Sequence, residues 1–176
     1  MDFIVLDGKQ KEFFSEQIIE MMKISDKDFI PPLSARSSTL QTDLTSGACS
    51  IDGIYKYYQE MNTQEILCTI ENGVVLGFVS FRIDFVNEVI TNENLPNIYL
   101  STLILRPEAR GKNLTVRMYD HLFNTLYADR SIFTRTWSTN FAHTKILSKF
   151  DFEEIYRKTN DRGENIDTVY FAKIRK

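Results

Sequence analysis

The hydrophobic positions of this chain recur at helical spacing near its start and alternate as in strands after residue 61. Spacings of three and four residues predict a helix of about four turns that begins at Asp7 or Gly8. A second helix is predicted from a capping Asp52 to Met61. The residues predicted to face the core on these helices are Phe13, Phe14, Ile18, Met21, Met22, Ile54, Tyr57 and Tyr58.

Short apolar runs bounded by turn residues predict a sheet in the remainder of the chain. Strands are expected at residues 3–6, 64–71, 74–85, 98–105, 131–138, 152–159 and 166–174. Two further helices are predicted, one from about Leu114 and one over residues 140–150. The predicted order is β-α-α-β-β-β-α-β-α-β-β, with no repeat or linker, which indicates a single α/β domain over residues 1–176.

Residues 26–50 show no regular periodicity and are predicted to form a long loop with a brief helical turn. Pro31 and Pro32 exclude regular helix locally, and the rest is rich in Ser and Thr. Loops of this length in a compact domain tend to be functional or mobile. A surface excursion without function is an equally good interpretation of this segment.

Composition and charge exclude several function classes. The chain has 176 residues, a net charge of −3 and a pI near 5.5, which argues against nucleic acid as a partner. Cys49 and Cys68 form no paired-cysteine motif, as expected for a reducing cytoplasm. His121 and His143 are too few for a histidine-rich metal site, and the apolar run at residues 73–81 is too short to span a bilayer. We therefore expect a cytoplasmic protein that needs no metal and binds neither nucleic acid nor membrane.

The most informative stretch is residues 97–127, an apolar strand, a basic turn and an amphipathic helix. The turn contains Gly111 with the cations Arg106, Arg110 and Lys112 just before the helix begins. Helix N-termini offer unpaired amides and the positive end of the helix dipole, which together favour a phosphate group. An ordinary strand-to-helix connection with solvated cations is the alternative.

Two motifs of this chain, placed on successive strand-to-helix connections of the predicted order of elements, resemble motifs of the GNAT superfamily of acyl-CoA-dependent N-acetyltransferases. The first is the pyrophosphate turn Arg110-Gly111-Lys112-Asn113-Leu114-Thr115, in which Asn113 and Thr115 stand where the family has glycines. The second begins at Asn140 and ends with Leu147, Lys149 and Phe152, with Asp151 in place of the usual glycine. The resemblance implies an α/β (α+β) GNAT fold, with a mixed, mostly antiparallel sheet of about seven strands, flanked by helices and splayed at the central strand.

The resemblance also implies a site for acetyl-CoA as co-substrate. The main chain of Leu103 and Leu105 would pair with the pantetheine arm, and the amides of residues 111–115 would bind the pyrophosphate. Asn140 would bond the pantetheine, or serve as a plain helix cap, and the two roles are compatible. The expected cofactor-binding residues are Leu103, Leu105, Arg110, Gly111, Lys112, Asn113, Leu114, Thr115 and Asn140.

The catalytic groups are less clear, because Leu147 occupies the place of the family's usual acid, a tyrosine. His143 takes the position where one branch of the family has a serine, and could donate a proton to the departing thiolate. An idle helix histidine is the alternative. Tyr99 is the second candidate, as a proton relay or substrate contact, with core packing as its alternative. A carboxylate base is not evident, although Glu88 or Glu93 could act through water.

The expected activity is transfer of an acetyl group from acetyl-CoA to a primary amine, on a small molecule, a protein N-terminus or a lysine. The acceptor pocket is expected between the loop at residues 26–50, the link at residues 87–96 and the hairpin near Arg162, and a homodimer is possible. Asp28 and Tyr99 would favour a cationic amine. One alternative is a non-catalytic acyl-CoA sensor or subunit with the same fold, and another is a protein-interaction domain with an incidental phosphate-like turn.

Overall fold

The computed structural model describes residues 1–41, 49 and 51–175, except for the side chain of residue 51. Seven strands form one sheet in the order β1-β2-β3-β4-β5-β7-β6. β4 and β5 pair in parallel, and the other neighbouring strands are antiparallel. The strands are β1 (Asp2–Val5), β2 (Glu65–Glu71), β3 (Val74–Ile83), β4 (Asn97–Leu105), β5 (Ser131–Trp137), β6 (Glu153–Lys158) and β7 (Thr168–Lys173). The predicted mixed, mostly antiparallel sheet is confirmed.

Within the described residues, four α-helices flank the sheet: α1 (Gly8–Ser25), α2 (Ile51–Met61), α3 (Leu114–Asp120) and α4 (Phe141–Lys149). α1 begins at a capping box in which Asp7 and Gln10 satisfy each other's backbone amides. α3 continues as a π-helical segment over His121–Leu126. None of the helices in the described part of the chain is long and apolar enough to cross a membrane.

The alternation of side chains along β3 and β4 separates two hydrophobic cores. Phe78 and Ile104 pack with α1 and α2 on one face of the sheet. Val79 and Leu100 pack with α3 and its continuation on the other face. The central strands are therefore covered on both sides, which fixes the position of the sheet relative to all four helices.

The sheet splits between its two central strands. The parallel pairing of β4 with β5 runs from Asn97 opposite Ser131 to Leu100 opposite Thr134 and ends there. β4 then bulges at Ser101, because Leu100 and Thr102 pair with consecutive residues of β3. β5 stays with β7 as far as Trp137. The predicted splaying of the central strand is confirmed, and it leaves a wedge between residues 101–105 and 135–137.

Two details of the helix predictions are wrong. Phe13 is 76% exposed, because the buried stripe of α1 runs through Phe14, Ile18 and Met22 and places position 13 on its outer side. Asp52 lies within the first turn of α2, so it does not precede the helix as a cap.

Residues 26–41 of the irregular loop lie against the sheet, where Arg135 of β5 bonds the carbonyls of residues 39 and 41. It contains two short 3-10 turns, Asp26–Asp28 and Leu33–Ala35. The Asp26 carboxylate joins them by accepting hydrogen bonds from the backbone N–H and Oγ of Ser34, both at 2.8 Å. Residues 42–48 and 50 of the predicted loop lie outside the described residues.

Candidate active site

A cavity of about 280 Å³ opens where β4 and β5 separate. Its walls come from parts of the chain that are distant in sequence, among them the two splayed strands, α3, α4, the loop after α1 and the turn between β6 and β7. The residues that line it include Ser25, Asp28, Phe29, Arg36, Thr39, Ser101, Leu103, Leu105, Arg110, Thr115, Tyr119, Arg135, Trp137, Asn140, His143 and Arg162. Both sequence motifs thus contribute side chains to one space.

The splayed part of β4 presents main chain as well as side chains to this cavity. Residues 100–105 all line it, which includes the predicted Leu103 and Leu105. The Oγ atom of Ser101, at the bulge, is buried and has no hydrogen-bond partner within the described residues. An unpaired buried hydroxyl is costly, so a polar partner from a bound molecule would stabilise it.

The basic turn is left-handed at two of its positions. Gly111 and Asn113 both adopt left-handed conformations, with φ of 72° and 56°, so Asn113 takes the conformation that the family's glycine would take. Leu114 is buried in the core, while Thr115 is buried and lines the cavity. Gly111 and Lys112 are exposed beside it.

Arg110 is engaged with the loop after α1. Its guanidinium contacts Asp28 at 2.8 Å and the Ser25 hydroxyl at 3.0 Å, and its Nε donates to the carbonyl oxygen of Leu105 at 3.3 Å. A phosphate bound by Arg110 would therefore have to replace Asp28 or share the guanidinium with it. Asp28, expected to favour a cationic acceptor, is already paired with a cation.

Asn140 caps α4 and is held in place on both sides of its amide. Its Oδ1 accepts from the backbone N–H of His143 at 3.2 Å, and its Nδ2 donates to Thr136 Oγ1 at 3.0 Å. The cap interpretation of Asn140 is thus correct, and its position on the cavity wall leaves the pantetheine role open.

His143 lies inside the cavity wall and shares a hydrogen bond with Tyr119, whose hydroxyl is 2.8 Å from Nε2. Burial lowers the pKa of His143 to about 4 and raises the pKa of Tyr119 well above its usual range. The imidazole is therefore neutral and the phenol protonated at neutral pH. The tautomer of the imidazole decides which of the two groups donates this hydrogen bond.

Tyr99 is not brought to the same place. It is 1% exposed, stacks on Phe85 at 4.6 Å and packs with Phe133 and Tyr170, and it is not among the residues that line the cavity. Burial raises its pKa to about 12, so it stays protonated. The core-packing interpretation describes its position. Glu88 and Glu93, the candidate remote bases, are exposed and also lie outside the lining.

Sequence reasoning missed two features of the cavity. Tyr119 falls on the apolar stripe of α3 and gives no sign of a polar role, since its partner comes from α4. Arg36, Arg135 and Arg162 come from the loop, from β5 and from the turn between β6 and β7, yet they line one cavity. Of the three segments expected around the acceptor, the loop and the hairpin turn contribute side chains, whereas the link at residues 87–96 does not.

Comparison with known proteins agrees with this geometry. The chain aligns over 99% of its length with a ribosomal-protein-alanine N-acetyltransferase from Brucella melitensis, of which it covers 100%, with a TM-score of 0.67 and 11% identity. It aligns over 99% with an N-acetyltransferase from Staphylococcus aureus, covering 99% of that chain, with a TM-score of 0.64 and 17% identity. An aminoglycoside 6'-N-acetyltransferase complexed with coenzyme A gives a TM-score of 0.67 and 11% identity, with 99% and 97% of the two chains covered.

At these identities the structural neighbours establish the fold and nothing finer. The sequence comparison with curated proteins found no significant match. The sequence model of the acetyltransferase (GNAT) family, however, matches residues 21–152, three quarters of the chain and both motifs up to Phe152. The chain therefore belongs to the acetyltransferase (GNAT) family.

Proposed function

We propose that this protein transfers an acetyl group from acetyl-CoA to a primary amine of a small molecule or peptide. The observation that carries the proposal is the wedge between β4 and β5, which opens directly onto the cavity containing Asn140 and His143. Membership of the acetyltransferase family supports it. So does the coenzyme A in the complex of the aminoglycoside 6'-N-acetyltransferase, which has the same fold.

The wedge suits the extended, amide-containing arm of acetyl-CoA. An extended ligand can pair with the exposed main chain of a strand as an additional strand would. Residues 101–105 offer that main chain, with the unpartnered Ser101 hydroxyl at its start. The left-handed turn at Gly111 and Asn113, with Lys112 beside it, would hold the pyrophosphate at the other end.

The reaction forms a bond between the amine nitrogen and the thioester carbonyl carbon, and it breaks the bond from that carbon to sulfur. The amine loses one proton, and the departing thiolate gains one. The hydrogen-bonded pair of His143 and Tyr119, which lines the cavity, supplies the proton donor that we propose to stabilise the negative charge developing during transfer. Within the described lining the one carboxylate, that of Asp28, is paired with Arg110, so the amine proton leaves through water.

The direct test is release of free thiol from acetyl-CoA in the presence of a broad panel of primary amines. We expect turnover with at least one amine, and a fall of kcat of about tenfold or more in His143→Gln, because positioned proton donors commonly contribute at least that much. The matched control is His121→Gln, which removes the chain's other histidine from outside the cavity and should leave kcat unchanged.

Binding of coenzyme A separates the alternatives. A ligand at a hundredfold excess over its Kd stabilises a protein by about 2.7 kcal/mol. Stabilisation without turnover on any amine would support the sensor or subunit. No stabilisation would support the interaction domain and contradict the proposal. The homodimer and the cytoplasmic location remain predictions.

A further inference from the structure

A second set of cations, besides the basic turn, lines the cavity. Three arginines of different elements line it, and each guanidinium lies over an aromatic ring. The pairs and their distances to the ring centroid are Arg36 and Phe29 at 5.4 Å, Arg135 and Tyr170 at 5.9 Å, and Arg162 and Trp137 at 5.8 Å. Arg162 is only 6% exposed. Stacking on aromatic rings leaves the guanidinium edges available as hydrogen-bond donors.

These arginines donate their hydrogen bonds to uncharged groups. Arg36 bonds the carbonyls of Ile30 and Pro31, and Arg162 bonds the carbonyl of Ile30 and the hydroxyl of Thr168. Arg135 bonds two carbonyls of the same loop, those of residues 39 and 41, and the hydroxyl of residue 170. Arg135 and Arg162 therefore hold the loop against the sheet, and Arg36 cross-links the loop itself, and none of these contacts neutralises a charge.

Five of the seven other arginines are paired with acids. Arg82, Arg106, Arg110, Arg130 and Arg157 each have a carboxylate within 4 Å, whereas Arg117 and Arg175 have none among the described residues. Among the described residues, none of the three cavity arginines has one. The acid next to Arg162 in sequence, Asp161, is paired with Lys158 and accepts from Thr168.

The three charges repel one another in a partly dehydrated place. Burial, followed by the neighbouring charges of Arg36 and Arg135, lowers the pKa of Arg162 to about 9. Burial also lowers the pKa of Arg36. Both groups remain protonated at neutral pH, so the cavity wall holds three positive charges. Buried charge of one sign is expensive unless a counter-charge is present.

Donors remain for such a counter-charge. Nη2 of Arg162 makes no hydrogen bond within the described residues, and Arg36 has, besides its two carbonyl partners, the hydroxyl of Tyr57 as a neighbour. Guanidinium N–H groups without a charged partner can bind the oxygens of a carboxylate or phosphate at charge-assisted strength. The pyrophosphate of acetyl-CoA would lie at the turn with Gly111, so it does not account for this second set of cations.

We infer that the acceptor amine carries an anionic group, a carboxylate or a phosphate, which Arg36, Arg135 and Arg162 bind while the amine faces the thioester. This rests on the proposed acetyl transfer and names the class of its acceptor. It replaces the expected cationic amine, because Asp28 is paired with Arg110 and Tyr99 lies outside the cavity. Amino acids, acidic peptides and phosphorylated amines belong to this class, whereas polycationic amines do not.

The test compares matched amines that differ in the anion. Glycine is compared with glycinamide, and O-phosphoethanolamine with ethanolamine, each by thiol release at saturating acetyl-CoA. We expect kcat/KM to favour the anionic member of at least one pair by tenfold or more, and the pair that responds distinguishes carboxylate from phosphate. Equal or better turnover of the neutral members in both pairs would overturn the inference.

Two substitutions of Arg135, one that removes its charge and one that keeps it, distinguish binding of an anion from hydrogen bonding to the loop. Arg135→Gln can still donate to the loop carbonyls, so we expect the anionic-to-neutral ratio of kcat/KM to fall at least tenfold, chiefly through the KM of the anionic amine. Arg135→Lys should retain most of the ratio. Arg117→Gln, an exposed arginine outside this cavity, is the matched control and should retain all of it. Equal KM increases for both amines in Arg135→Gln would show that the arginine only fastens the loop.

The outcomes also separate this inference from the proposed function. Stabilisation by coenzyme A together with turnover of neutral amines alone would leave acetyl transfer standing and refute the anionic acceptor. Absence of any stabilisation by coenzyme A would refute both. If Arg135→Gln fails to fold, the matched amines tested on the unaltered protein still decide the question.

Discussion

The neutral, buried imidazole of His143 makes the stability of the folded protein depend on pH. Its ordinary pKa of 6.5 applies to the unfolded chain, and burial lowers it to about 4 in the folded protein. Between these two values the unfolded chain binds more protons than the folded one. The free energy of unfolding is therefore fully retained above pH 6.5 and falls as the pH decreases towards 4.

The size of the effect follows from the difference between the two pKa values. One pKa unit corresponds to about 1.4 kcal/mol, so the full loss from this one group is about 3 kcal/mol, and about 2 kcal/mol of it is reached at pH 5. This is a large fraction of the stability of a typical domain. Carboxylates also titrate in this range, so the contribution of His143 has to be isolated by comparison with a variant.

Urea denaturation at pH 7.5 and pH 5 isolates the contribution of His143 to the free energy of unfolding. The unaltered protein and His143→Gln are measured in parallel. Glutamine can still share a hydrogen bond with Tyr119 but does not titrate. The unaltered protein should lose about 2 kcal/mol more than the variant between the two pH values. Equal losses in the two proteins would show that folding does not lower the pKa of His143, and would refute its placement as a neutral group inside the cavity wall.

Three further substitutions test other parts of the account. Tyr119→Phe should lower kcat for thiol release, and it should lower the free energy of unfolding by about 1–2 kcal/mol in urea because Nε2 of His143 loses its hydrogen-bond partner. Gly53→Ala should lower the free energy of unfolding by about 2 kcal/mol or more, since the new Cβ would stand 2.0 Å from the carbonyl oxygen of Ser34. Normal stability of that variant would contradict the packing of α2 on the loop. Gly111→Ala should weaken coenzyme A binding in calorimetry because φ is 72° there, whereas Asn113→Gly should preserve it.

The helices and strands could be predicted because each is encoded by local spacing of apolar residues. The strand at 98–105, the helix from Leu114 and the closing hairpin all appear within two residues of their predicted bounds. The left-handed turn was signalled by Gly111 and by an asparagine two residues later. The splay of the sheet came from the family resemblance, since nothing in the local pattern of β4 or β5 marks where their pairing ends.

The polar contents of the cavity could not be predicted in the same way. Tyr119 sits at a regular core position, and its hydroxyl acquires a partner only when α3 packs against α4. Arg36 and Arg162 are far apart in sequence, and they lie together because both donate to the carbonyl oxygen of Ile30. Tyr99 shows the opposite case. From the sequence it is a candidate for the site because it is a polar residue on the central strand, but it packs in a hydrophobic core.

The proposed function depends most on the opening between β4 and β5, which we propose receives the pantetheine arm of acetyl-CoA. A crystal structure of the protein with coenzyme A tests this placement directly. We expect main-chain hydrogen bonds from residues 101–105 to the pantetheine amides, the pyrophosphate at residues 111–115 and the thiol beside His143. Coenzyme A bound at another place, with residues 101–105 making no contact to it, would refute the proposed site.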